Sequence, residues 1–441
     1  MTEQASKASN QPVLRLGIAG LGTVGTGLIE LIEAQGDLIE QRSGRRLKVV
    51  AVSARDRSKD RGVSLEGMTW HDDPLDLVDD DAVDLVVELI GGSEGVAKTL
   101  VEKALSAGKP VVTANKALVA HHGTALARLA EANGASLHFE AAVAGGIPVI
   151  KALREGLAGN SFARITGILN GTCNYILTTM RETGRDFGDV LAEAQALGYA
   201  EADPSFDVDG VDTAHKLALL TALAYGCEVD FNGVYLEGIR EIGAVDISFA
   251  DELGYKIKLL GVAESADGAV FQRVHPCLVD KRAPIAGVDG VFNAVVAEGD
   301  FVGTTLFEGR GAGGHPTASA VAGDIIDVAR GQALPTFAVP ADALKRLPSK
   351  PMSEHYGAYY LRLSCLDEPG VIADVTAALR DSGISVESMV QRGRAESDTH
   401  SVPVVITTHE TLEARMMEAL QRIEAMAAVV EKPRLIRIES L

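Results

Sequence analysis

The chain is predicted to be an α/β protein: a doubly wound parallel sheet, then an α+β domain, then a C-terminal ferredoxin-like βαββαβ module. Three observations carry that prediction. A glycine turn (Gly20, Gly22, Gly25) sits between an apolar run and an amphipathic period. Runs of strand length then alternate with helical periods as far as Glu140. The last stretch, beyond a cluster of prolines, reads strand, helix, strand, strand, helix, strand. A length of 441 residues exceeds one domain.

Composition narrows the class. With 46% apolar and 23% charged residues, each domain can bury a core. A net charge of -20 without clustered Lys and Arg excludes a nucleic-acid footprint. The four cysteines (Cys173, Cys227, Cys277, Cys365) are far apart with no CxxC pair, which fits a reduced, cytoplasmic, non-zinc protein. There is no long uncharged apolar run, and MTEQASKASNQP lacks the order of a signal peptide, so no membrane partner is expected.

In order, residues 1–12 read as a disordered tail. VLRLGIAGLGTVGTGLIELIEA then reads as buried strand, turn and helix. This is the Rossmann-type dinucleotide fingerprint: Gly20, Gly22, Thr23, Val24 and Gly25 let backbone approach a pyrophosphate at a helix N-terminus. The second strand, LKVVAVSA, ends at Ala54, where many NAD enzymes place an acidic residue on the ribose. Here Arg55, Arg57 and Lys59 follow. Cations there favour a 2′-phosphate, hence NADP with NAD possible, although Asp56 lies among them and a basic surface loop is the plain alternative.

DLVVELI, PVVTAN and SLHFE continue the strands to Glu140, so residues 13–140 form the cofactor domain. Ligands in such sheets lie at strand C-terminal ends, which makes Asn115, Lys116 and Glu140 crevice candidates. Lys116 is also explained as a helix-start lysine. In AAVAGGIPVI, Gly145 and Gly146 expose carbonyls that, with a carboxylate, suit a hard cation or merely start a helix.

FARITGILNGTCNYIL reads as strand, Asn-Gly turn and helix. LGYAEADPSFDVDGVDTAHKLALL then sets Glu201, Asp203, Asp207, Asp209 and Asp212 ahead of Lys216, with Asp212 and Lys216 sharing a helix face. Such a pattern holds an ammonium on carboxylates and puts a lysine donor at a reacting oxygen; a solvated acidic loop is the bland alternative. GAVFQRV, GVFNAVVA and VGTTLFEG complete a substrate-binding and dimerisation domain over 141–308. A second glycine loop and helix, 309–331, return to the cofactor domain, with His315 read as structural. Residues 332–355 carry linker chemistry and set off a separable module, 356–441, suited to ligand sensing or association.

Taken together, GLGTVG, TANKALVA, EAAVAGGIPVI, LNGTCNYIL and above all GYAEADPSFDVDGVDTAHK resemble the blocks of a monofunctional homoserine dehydrogenase. LDEPGVIADVTAALRDSGISVESM is similar to the opening of an ACT regulatory domain. No kinase-like segment precedes residue 13, so the form fused to aspartokinase is not expected. The resemblance implies oxidation of L-homoserine to L-aspartate 4-semialdehyde, run in biosynthesis as the reverse reduction. It implies Glu201 and Asp212 on the ammonium, Lys216 as proton donor, Lys116 polarising the same oxygen, and Asp207 orienting substrate or Lys216. Gly198 and Gly313 would complete the cofactor pocket. Glu140 with the carbonyls of Val143, Gly145 and Ile147 matches the family's monovalent cation site, expected to hold Na⁺. Threonine is the implied effector, bound between paired ACT modules near Asp367, Gly370 and Ile384, and a homodimer or homotetramer is implied. Two other readings stay open: a catalytically idle amino-acid sensor, and an acylating aldehyde dehydrogenase using Cys173.

Overall fold

The computed structural model describes residues 13–392 and 401–441. The tail expected over 1–12 lies outside the described residues. Two compact units emerge. Of the described residues, the first holds those up to Ile165, then His215–Asn232 and Asn293–Leu347; the second holds Thr166–Ala214, Gly233–Phe292 and those from Pro348 onward.

The first unit contains a six-stranded parallel sheet: β1 (Leu14–Ala19), β2 (Leu47–Ser53), β3 (Thr69–His71), β4 (Leu85–Glu88), β5 (Val111–Thr113) and β6 (Leu137–His138). Its spatial order is β3-β2-β1-β4-β5-β6, so the topology reverses between β1 and β4. There the C-terminal residues Ala19, Ser53 and Glu88 lie in register. A crevice outside strand ends at such a point is where this architecture receives ligands. The strands are nearly continuous in apolar residues because helices cover both faces. On one face Leu16 and Ile18 pack with Leu28 and Ile29 of α1 (Thr23–Ser43) and with Val321 and Ile325 of the helix Gly314–Ala329. The opposite face buries Leu100, Val101, Leu118 and Leu126.

The proline-rich stretch is held down as far as Leu347. Phe337 is fully buried, its ring 5.3 Å from that of Phe139. The Ala341 N–H donates to the Glu131 carboxylate, and the Lys345 N–H to the Gly226 carbonyl. Prolines remove donors, and the N–H groups named here are spent within the first unit itself. The segment is a strap rather than a loose spacer.

In the second unit, six strands lie side by side in the order Tyr255–Ala266, Ala269–Asp280, Arg434–Glu439, Tyr356–Leu366, Ser401–Thr408, Val386–Gln391. The first two form a hairpin closed by Asp267 and Gly268, both at positive φ (57° and 76°), the geometry that a two-residue turn of this hand requires. The last four strands, with the helices Val371–Asp381 and Glu413–Glu424 on one face, make the predicted βαββαβ arrangement around Leu361, Leu363, Val375, Leu379, Met416 and Ile423.

The sequence does not foretell how this module attaches. Arg434–Glu439 pairs in parallel with Ala269–Asp280, Cys277 opposite Arg437, so one sheet runs without a break from the hairpin into the module. Buried charge is matched across that seam. Arg273 donates to Glu439 and Glu264, while Arg437 donates to Glu413, Glu237 and the Tyr235 hydroxyl. The module is thus an extension of the second unit and not a separable attachment. Among the described residues no helix is long and apolar enough to cross a membrane.

Candidate active site

The first unit supplies a nucleotide cradle. Gly20 has φ +106°, and a Cβ there would lie 2.5 Å from the Leu89 carbonyl oxygen; at Gly25 it would lie 2.2 Å from that of Gly20. Both positions are closed to side chains by backbone. Gly22 faces open space, so its job is clearance for something outside the protein. It is also the N-cap of α1, with no side-chain cap and no acidic residue in the first turn, which leaves helix N–H groups for an anion.

A cavity of about 550 Å³ opens beside this turn, lined by Gly20, Gly22, Ser53, Arg55, Lys59 and Arg61 among others. Asp56 also borders it, but its carboxylate takes the Ser58 N–H (2.8 Å) and hydroxyl (2.7 Å), which hold it below the usual carboxylate range. It is spent on the loop rather than offered to a ribose. The guanidinium groups of Arg57 and Arg61 lie 5.8 Å and 5.4 Å from the ring centre of Trp70 on β3. Arg61 also reaches the carbonyls of Asp56 and Lys59. Nothing in the spacing of Arg55, Arg57 and Lys59 foretells this aromatic support; a lone tryptophan in a short strand offers no local signal.

At the end of β4, the buried Glu88 accepts the N–H groups of Ile90 and Gly91 and the Thr113 hydroxyl (2.6 Å). Thr113 in turn accepts the Asn115 N–H. The Asn115 side chain caps the helix Lys116–Ala132 through the Leu118 N–H and donates to the Gly92 carbonyl at 2.7 Å. This chain of bonds fixes the backbone that leads into Lys116, and Asn115 borders a small cavity with Val24, Ile90 and Gly91. Glu88 was invisible in sequence, since LVVELI reads only as a strand.

Beyond β6, Glu140 is buried and each of its carboxylate oxygens accepts one N–H, from Ile150 and Lys151, at 2.9 Å. Its own N–H donates to Asp324. Burial and the neighbouring Asp324 push the Glu140 carboxyl up to about 7. The following bend has Ala144 and Gly145 at positive φ (56° and 54°). A Cβ on Gly145 would lie 2.4 Å from the Gly311 carbonyl, and the Gly146 N–H donates to the Arg310 carbonyl, so the two glycine loops interlock. The Ile147 carbonyl accepts the Val149 N–H, while those of Val143 and Gly145 have no backbone partner among the described residues. Gly313 caps the helix Gly314–Ala329, and Gly314 abuts Thr23 of the fingerprint. His315 is exposed on Glu30.

The second unit sorts the five carboxylates of the acidic loop. Asp203 accepts the Ser205 N–H, and Asp209 pairs with Arg240 at the surface; both are local struts. Glu201 is exposed. Asp207 and Asp212 come together, each accepting from one amide, that of Asn170, at 2.7 Å and 2.8 Å. Asn170 also caps the helix Gly171–Thr183 through the Cys173 N–H. LNGTCN is therefore a helix cap and not the Asn-Gly turn expected, because the Asn170 side chain has three partners that a turn would not supply. Asp212 (3% exposed) and Lys216 (7%) lie one turn apart on the helix Val211–Tyr225. Gly198 ends the acidic loop's preceding helix, where the Tyr199 N–H returns to Ala194.

In the module, Gly370 is the N-cap of Val371–Asp381 without a side-chain cap, and Asp367 is exposed just before it. Ile384 belongs to the module's own core, with its N–H on Leu379. Of the three residues, only the Gly370 end offers helix donors.

Comparison with known proteins gives three family matches: "Homoserine dehydrogenase, NAD binding domain" over residues 20–140, "Homoserine dehydrogenase" over 148–326, and "ACT domain" over 359–425. A homoserine dehydrogenase of Pseudomonas aeruginosa is 46% identical, covering 97% of this chain and 99% of the relative. The crystal structure of a homoserine dehydrogenase from Thiobacillus denitrificans has a TM-score of 0.91 at 47% identity, covering 97% of this chain and 98% of that one. A hyperthermophilic archaeal homoserine dehydrogenase in complex with NADPH has a TM-score of 0.63 at 29% identity, covering 74% of this chain and 99% of that one. On this evidence the chain belongs to the homoserine dehydrogenase family.

Proposed function

We propose that this oxidoreductase interconverts L-homoserine and L-aspartate 4-semialdehyde, with NADP as its preferred cofactor, in the biosynthesis of threonine, methionine and isoleucine in the cytoplasm. The observation that carries the substrate reading is the pairing of the half-buried Asp207 with the buried Asp212 on the amide of Asn170, with Asp212 one helical turn before Lys216. Asp212 held this way suits an ammonium, with the exposed Glu201 as its partner. Bound NADP supplies or accepts the hydride. Lys216 holds the proton that the substrate's terminal oxygen gains or loses, Lys116 polarises that oxygen, and Asp207 orients substrate or Lys216. Gly198 and Gly313 border the cofactor's place.

The acylating alternative lacks support: Cys173 is buried and its thiol donates to the Asp207 carbonyl at 3.2 Å. The test is NADP reduction with homoserine, with and without phosphate or arsenate. Reduction independent of both anions is expected, and dependence on either would overturn the reading.

Cofactor choice rests on Arg55, backed by Lys59 and Arg61 around the same cavity. Arg55→Ala should move the NADP to NAD ratio of kcat/KM toward NAD, by about 10-fold for one lost charge-assisted contact. An unmoved ratio removes Arg55 from the 2′-phosphate.

The bend fits a monovalent cation, because a buried carboxyl raised by its surroundings lies beside carbonyls lacking backbone partners. Glu140, Val143, Gly145 and Ile147 would hold it, and its charge would brace the bend. Sodium should raise the melting temperature in a choline buffer, and Glu140→Ala should abolish the response. A wild type indifferent to sodium and potassium excludes the site.

The ACT module supports regulation by an amino acid, with threonine the proposed inhibitor of a homodimer or homotetramer. Full-length protein should show a threonine inhibition curve that Asp367→Ala shifts by roughly 5–150-fold without changing uninhibited kcat. No inhibition by millimolar threonine, isoleucine, methionine or lysine would leave the module as an assembly element.

A further inference from the structure

We propose that Asn170 is the positioning residue of the substrate site: its amide sets the spacing of Asp207 and Asp212, and through them the turnover of homoserine. This rests on the assignment of those carboxylates to the substrate.

The geometry is specific. Asn170 is buried at the end of the strand Phe162–Ile168, where the chain turns into the helix Gly171–Thr183. Its Oδ1 accepts the Cys173 N–H at 2.8 Å, so the helix fixes which end of the amide is the acceptor. The Nδ2 group then has two hydrogens for two carboxylates, Asp207 at 2.7 Å and Asp212 at 2.8 Å. Those carboxylates come from different elements: Asp207 from the short turn Ser205–Val208, Asp212 from the first turn of Val211–Tyr225, with Gly210 at positive φ between them. Two like charges on adjoining turns repel and would splay apart. A neutral donor pair between them removes that freedom without competing for an ammonium, which a lysine or arginine at this position would do. The Cys173 thiol, donating to the Asp207 carbonyl, holds the same turn from the backbone side.

The role separates from simple capping. Asn170→Ser and Asn170→Asp both retain an oxygen able to cap Cys173, and both lose the amide. Serine is too short to reach both carboxylates; aspartate adds a third negative charge beside them. The expected result is a loss in kcat/KM for homoserine of about 10- to 100-fold for serine and more for aspartate, from a raised homoserine KM and a lowered kcat. The KM for NADP should stay within about twofold and the melting temperature near wild type.

The decisive measurement is a double-mutant cycle. Asn170→Ser added to the double variant Asp207→Asn/Asp212→Asn should lose little beyond that double variant, because the amide acts through those two carboxylates. Additive losses, or full activity in both Asn170 variants, overturn the proposal. Should Asp207→Asn and Asp212→Asn themselves leave kcat/KM for homoserine unchanged, the substrate reading fails first and the proposal falls with it. That outcome is visible in the single mutants before the cycle is built.

Discussion

Lys216→Met is expected to lower kcat by about 10²–10⁴-fold while leaving NADP binding intact. Methionine matches the length and apolar stem of lysine but carries no proton, so the packing of a side chain only 7% exposed is nearly conserved. The helix Val211–Tyr225 is anchored independently of Lys216. In the first unit the His215 ring lies 4.4 Å from that of Phe231 and 5.3 Å from that of His121. The cavity beside the glycine turn is lined by residues at or beyond the ends of β1, β2, β3 and β4, which do not include this helix. Cofactor affinity measured by fluorescence titration should therefore match wild type, and steady-state kinetics should show the whole effect in turnover. A variant keeping more than about a third of wild-type kcat would take the proton away from Lys216.

Arg437→Met is expected to destabilise the second unit by about 3–5 kcal/mol, because it leaves the Glu413 side chain buried without its guanidinium partner. Both side chains are nearly inaccessible, at 3% and 4%. Arg437 also binds Glu237 and the Tyr235 hydroxyl, so one guanidinium joins the module's helix Glu413–Glu424 to the strand Tyr235–Leu236. Total stability of a domain is only ~5–15 kcal/mol, so the loss would show as a large fall in the urea midpoint. Adding Glu413→Leu should restore most of it, since an apolar pair carries no stranded charge. A single mutant within about 1 kcal/mol of wild type would show the cluster to be solvated and the seam held by strand pairing alone.

What could be read in the sequence was whatever is encoded by local spacing. Gly20, Gly22 and Gly25 lie within one turn and its helix, so their steric purpose follows from neighbours a few residues away. The alternation up to Glu140 reflects strands buried on both faces, and Asp212 and Lys216 follow from helical periodicity alone. Hidden features depend on partners far along the chain. Asn170 reads as a turn until Asp207 and Asp212 are folded against it. Glu88 reads as the end of an apolar strand, though it organises the loop that leads to Lys116. Trp70 comes beside Arg57 and Arg61 only because β3 pairs with β2. The prolines after Leu334 indicate a segment that cannot be helix or central strand, but whether such a segment hangs free or is strapped down depends on pockets, such as the one around Phe337, formed by other parts of the chain.

The unbroken sheet also bears on how the chain folds during synthesis. Arg273 and Glu439 are 166 residues apart in sequence, so the hairpin strand Ala269–Asp280 emerges long before the strand that covers its edge. Until residues 434–439 arrive, the edge of that strand at Cys277–Val279 is open to any passing strand, and Arg273 lacks its most buried partner. A ribosome pause or a premature stop within the module would release a chain with that edge uncovered. Such chains should be prone to aggregation in proportion to how little of the last strand they contain, and the final few residues of the module would decide solubility more than their number suggests.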